Sequence, residues 1–170
     1  RDVESLGKMA RVNSFERSLL TSWRRPVVIL NAIQAPSAEV NRGFSSLGVI
    51  LPYTPFHHLL MNAINTPAIV FTSANIKGEP LIAKNKNAVQ FLKSGNCDAL
   101  LVHNREIRNR QDDSVVQVIS GSPSTIRRGR GYAPEPVTLN VKTEGILELG
   151  ADLKNSFAIG KANRAILSQY

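Results

Sequence analysis

A single cysteine, Cys97, stands in 170 residues. That excludes an internal disulfide and any cysteine-rich zinc site within the chain, and it suits a reducing, cytoplasmic setting. Aromatic residues make up only 6% of the chain, with one Trp and three Tyr, so the interleaved exposed aromatics of single-strand nucleic-acid binders are missing. No apolar run approaches the length that spans a bilayer, and there is no internal repeat or low-complexity segment. Negative charge is also short: 21 Lys and Arg against 13 Asp and Glu leave a formal charge of +8, a surplus that favours phosphate-bearing partners. The chain opens on Arg1-Asp2-Val3 without an initiator Met or a signal pattern, and it closes directly after an apolar run. Both ends are therefore expected to be cuts in a longer protein.

The length is enough for one good core and a piece of a second. Asn13 followed by Glu16 has the spacing of a capping box opening a short helix through Leu20. Residues 26–30 and 47–51 are strand candidates, separated by a Pro-, Ser-, Asn- and Gly-containing surface loop over 31–43. Thr54 is placed to cap a helix with Pro55 at its first position, where a missing N–H costs nothing. Short strands are expected over 68–71 and 99–102, with a helix from about Asn85 to Leu92 between them. Strands alternating with helices imply α/β layering with at least partly parallel pairing. A hairpin of 115–119 and 124–128 about a Gly121-Ser122 turn makes the sheet mixed. Pro134-Glu135-Pro136 opens a linker-like stretch. Beyond it, 146–149, 157–160 and 165–167 read as three short strands, joined by turns at Asp152-Leu153-Lys154-Asn155 and 161–164.

Three clusters carry chemistry, each a polar or cationic knot at the end of an apolar run: Thr72-Ser73-Ala74-Asn75, Asp112-Asp113-Ser114-Val115-Val116 and Ile126-Arg127-Arg128-Gly129-Arg130-Gly131. Hydroxyl and amide donors and guanidinium forks match phosphate oxygens in geometry and charge, so nucleotide chemistry is the leading reading. Each cluster also has a plainer reading. Ser73 and Asn75 can form a turn that satisfies its own backbone. Asp112 and Asp113 can pair with Arg108 or Arg110 at the surface, an arrangement usually worth little. Along a straight strand Arg128 and Arg130 face one way and Arg127 the other, so one ligand cannot use all three without a bend. His57 and His58 point about 100° apart on a helix and cannot chelate one ion together.

In this order the three clusters resemble the YrdC-like domain family. Together with Leu51-Pro52-Tyr53-Thr54-Pro55, Ser73-Ala74-Asn75-Ile76-Lys77-Gly78-Glu79-Pro80 and Arg110-Gln111-Asp112-Asp113-Ser114, they look like its version in the nickel-iron hydrogenase maturation carbamoyltransferases. The resemblance implies a twisted mixed α/β sheet flanked by helices over 1–134, a linker over 135–144, and over 145–170 the first strands of an actin-like transferase domain. It implies formation of carbamoyl-adenylate from ATP and carbamoyl phosphate, with magnesium. The carbamoyl group would then pass to the C-terminal cysteine of a partner maturation protein on the way to a cyanide ligand. Zinc belongs to a region that this chain lacks, as do an upstream Lys- and Arg-bearing ATP-gripping segment and an acylphosphatase region. The implied nucleotide- or carbamoyl-binding residues are Tyr53, Ser73, Asn75, Asp113, Ser114, Arg127 and Arg130. Arg127 is assigned to phosphate and Arg130 to a second contact, with Gly129 permitting the bend. Asp113 either holds an arginine in position or contributes to magnesium binding. Where the family usually has a Ser, this chain has Lys77. A threonylcarbamoyl-adenylate synthase of tRNA modification is the alternative activity; double-stranded RNA binding, associated with the family, is the other.

Overall fold

A computed structural model describes residues 1–151 and 155–169. By internal contacts the chain divides into two compact units, Arg1–Val70 with Asp112–Tyr170, and Phe71–Gln111. In the larger unit a 3-10 turn, Glu4–Lys8, leads into β1 (Ala10–Arg11) and α1 (Ser14–Thr21). The expected capping box is present: Asn13 Oδ1 accepts from Glu16 N at 2.9 Å and Glu16 Oε2 accepts from Asn13 N at 2.8 Å. Two otherwise orphaned amides are satisfied reciprocally, which starts the helix where the sequence placed it. β2 (Val27–Ala32) follows, then α2 (Ala38–Asn41), β3 (Ser46–Val49) and α3 (Pro55–Ala63). Thr54 Oγ1 caps α3 by accepting from His57 N at 3.2 Å.

β2 is the centre of the sheet. It pairs antiparallel with β1 and β3, and parallel with β4 (Val115–Ile119), which pairs antiparallel with β5 (Ser122–Arg127). The sheet is mixed, as expected. Alternation along β2 buries Val28 and Leu30, which pack with Leu6, Leu20, Val49 and Leu51 into the core. The β4–β5 turn falls one residue earlier than the sequence suggests, on Ser120 and Gly121, both at positive φ as a two-residue hairpin requires. A second sheet runs β6 (Val137–Thr138), β9 (Arg164–Leu167), β8 (Phe157–Lys161), β7 (Leu147–Leu149). Val137 and Thr138, inside the stretch read as a linker, thus pair with β9. Thr143, nearby, is buried and donates to the carbonyls of Ala162 and Arg164. Most of the turn expected over 152–155 lies outside the described residues.

In the smaller unit α4 (Asn85–Lys93) forms as expected. Neither the strand expected over 68–71, at the boundary of the two units, nor that expected over 99–102 forms. A strand needs a ladder partner, and among the described residues no strand lies between β3 and β4. Val70, Phe71, Leu101 and Val102 are accordingly exposed. No helix of the described residues is long and apolar enough to cross a membrane.

Candidate functional site

Parallel pairing of β2 with β4 brings the starts of both strands to one end of the sheet, and the antiparallel β5 returns its last residue, Arg127, opposite Val115. At this end Ser114 is fully buried. Its hydroxyl donates to the Arg130 carbonyl at 2.9 Å and accepts from Gly129 N at 2.8 Å, while its own carbonyl accepts from Val27 N at 2.8 Å. Ser114 therefore fastens three segments together, its donor and one acceptor position already in use. A glycine is required beside it: a Cβ on residue 129 would stand 2.3 Å from the Asp112 carbonyl oxygen. Gly131, at φ +83°, is equally constrained, with the Arg24 carbonyl 2.9 Å from where a Cβ would be.

Arg130 is held on all sides. Nε donates to Asp113 Oδ1 at 2.6 Å, Nη1 to the Arg24 carbonyl at 2.9 Å and Nη2 to the Arg25 carbonyl at 2.5 Å. The guanidinium carbon lies 3.6 Å from the centroid of the Tyr53 ring, a stacked cation–π contact. Asp113 thus pairs with Arg130. Tyr53 has one ring face on Arg130 and a T-shaped contact with His57 at 4.6 Å. Burial raises the Tyr53 phenol pKa, with the Asp113 carboxylate adding to the shift. Burial lowers that of His57, opposed by Asp113.

A strip of arginines borders this end. Sequence reading did not single out Arg24, which the structure places beside Gly131: Nε donates to the Gly131 carbonyl at 2.9 Å, and the head group pairs with Glu135. It also lies over the rings of Trp23 and Tyr132, at 4.7 and 5.2 Å. The signal available was the pair Arg24-Arg25 directly before a strand-opening Pro26. Arg128 donates to the carbonyls of Tyr132 and Glu135. Arg127 owes its setting to a bulge: Val115 faces Arg127 but Val116 faces Thr125, so Ile126 is an extra residue on β5. Bulges re-aim side chains, so this one sets how Arg127 leaves β5, which ends there, while Arg128 and Arg130 lie beyond the strand and outside its alternation.

Within the smaller unit Ser73 is exposed and Asn75 half-buried. Ser73 Oγ donates to Asn75 Oδ1 at 2.8 Å, and Asn75 Nδ2 donates to the carbonyls of Ile76 and Glu79, each at 3.1 Å. Gly78 closes the turn at φ +84°. The loop is braced by its own side chains, with Ser73 at the surface.

Among the described residues no three His, Cys, Asp or Glu side chains come together as metal ligands. One oxygen of Asp113 is on Arg130. A magnesium ion held by protein side chains alone does not fit this arrangement.

The chain matches the family model Sua5/YciO/YrdC, described as telomere recombination, over residues 1–129. The chain belongs to this family. Over its whole length it is also 41% identical to carbamoyltransferase HypF of Rhizobium leguminosarum bv. viciae, of which it covers 23%. A solved full-length HypF in a phosphate- and nucleotide-bound form is 38% identical and superposes with a TM-score of 0.83, over 100% of this chain and 27% of that one. HypF of T. kodakarensis is 37% identical with a TM-score of 0.87, over 99% of this chain and 22% of that one. The chain thus spans about a quarter of the length of these relatives.

Proposed function

We propose that this chain is the adenylate-forming segment of a hydrogenase maturation carbamoyltransferase, joining carbamate released from carbamoyl phosphate to ATP with loss of pyrophosphate. The observation that carries this reading is similarity, over the whole of this chain, to proteins named carbamoyltransferase HypF, one of them solved with phosphate and nucleotide bound. The chemistry needs charge neutralisation and in-line positioning at the α-phosphate, which cationic and hydroxyl groups supply without a covalent nucleophile. Arg127 is assigned to phosphate, and Ser73 and Asn75 carry over from the family motif. Magnesium would come with the nucleotide rather than sit on protein side chains alone, and would supply charge neutralisation at the phosphates. The product carbamoyl group passes to the C-terminal cysteine of a partner maturation protein, in the cytoplasm.

The test is ATP–pyrophosphate exchange by the full-length protein. Exchange dependent on carbamoyl phosphate supports the proposal. Exchange dependent instead on threonine plus bicarbonate moves the chain to tRNA modification, and absence of exchange with retention of double-stranded RNA would make it a binding module. Arg127→Ala should weaken ATP binding roughly tenfold to a hundredfold, the range for losing a charge-assisted contact. Unchanged binding by calorimetry would remove Arg127 from the site.

A further inference from the structure

Arg130 lies three residues beyond Arg127, and the resemblance pairs the two as phosphate contacts, but their surroundings differ. A guanidinium grips phosphate by presenting two parallel N–H groups along one edge. In Arg130 that edge is divided: Nε is on Asp113 and Nη2 on the Arg25 carbonyl, while Nη1 is on the Arg24 carbonyl. Its flat face is on Tyr53, and both members of the ion pair are only about one-fifth exposed, 21% for Arg130 and 22% for Asp113.

The same contacts join segments far apart in sequence. The Arg24-Arg25 turn leads into β2, with Arg25 at φ +42°, a left-handed conformation that a non-glycine residue keeps only when its neighbours hold it. Tyr53 precedes α3. The Gly129–Gly131 bend continues directly from the bulged end of β5, and the Arg130 amide is itself tied to the Asp112 carbonyl at 2.9 Å. Between this bend and the bulge at Ile126 sits Arg127.

We propose that Asp113 and Arg130 are positioning residues: a latch across the Arg24-Arg25 turn that fixes the end of β5 and so the placing of Arg127, rather than a metal ligand and a second phosphate ligand. This rests on the nucleotide reading for its functional consequence. The latch itself does not.

The experiment compares Asp113→Asn, Arg130→Lys and the double variant in the full-length protein. Lys retains the charge but cannot reach three acceptors from one planar head. Each single change should raise the KM for ATP several-fold. The double variant should be no worse than the poorer single, because both break one latch. Half-saturating magnesium in the exchange assay should be unchanged in Asp113→Asn. Without nucleotide, hydrogen exchange at the amides of residues 24, 25 and 27 should quicken in both single variants. Multiplying losses in the double variant would show two independent ligands and overturn the latch. A several-fold shift in magnesium dependence would make Asp113 a metal contact and also overturn it. Unaltered hydrogen exchange would overturn it whatever ATP does. Should the unmodified protein bind no ATP, the functional reading falls, and hydrogen exchange alone decides the latch.

Discussion

Two polar clusters with similar residue types are built in opposite ways. Around Ser114 and Arg130 each named side chain reaches across to another segment: Ser114 to Gly129 and Arg130, Arg130 to Asp113, Arg24 and Arg25. The side-chain hydrogen bonds of Ser73 and Asn75 stay within seven residues, and Ser73 is exposed. Buried polar groups must be satisfied by tertiary partners, because each unpaired one costs its full desolvation. An exposed loop can satisfy itself or exchange its partners for a ligand's at little cost. The first cluster is framework that can place a ligand-binding residue. The second can meet a ligand directly.

Substitutions test that contrast, beginning with the largest effect. Gly129→Ala puts a methyl 2.3 Å from the Asp112 carbonyl oxygen, and backbone at that distance has to move. Urea denaturation should show a loss of about 3 kcal/mol or more. A near-neutral result would mean that the bend is loose and the framework description is wrong. Ser114→Ala removes one hydroxyl and strands the Gly129 amide and the Arg130 carbonyl in a buried place. The expected cost is about 2 kcal/mol, measured in the same way.

Asn75→Ala should behave differently, lowering global stability by only about 1 kcal/mol, because its hydrogen bonds are confined to its own loop, while reducing ATP–pyrophosphate exchange in the full-length protein. If melting temperature and activity fall together, the loop is only a turn and the contrast collapses. The smallest effect concerns His57, whose pKa is lowered chiefly by burial. The unfolded chain then takes up the proton first as pH falls. Stability is therefore fully present above the ordinary value of 6.5 and declines as pH drops below it. The urea midpoint should fall slightly between about pH 7.5 and 5.5, and His57→Gln should flatten that change.

Wherever a feature depends on neighbours in sequence, it could be read without the structure. The Asn13–Glu16 capping box, the Thr54-Pro55 helix start and, to within one residue of its turn, the hairpin that follows Val115 are such features, since each is decided by hydrogen bonds or φ values within a few residues. The strands expected over 68–71 and 99–102 failed for the converse reason. Their apolar composition is strand-like, but a strand exists only if another presents its edge, and composition cannot supply one.

The order of the three clusters and the wording of their motifs were enough to point to the family. Tertiary structure decided what the residues within them touch. Nothing in Asp112-Asp113-Ser114 indicates that the serine is fully buried or that Asp113 pairs with Arg130. That pairing arises because β2 and β4 run parallel and β5 returns antiparallel, bringing residues 24, 25, 114 and 130 to one end of the sheet. Likewise the bulge at Ile126 is a matter of register between two strands, and register is set by how side chains pack across a pair rather than by either strand alone.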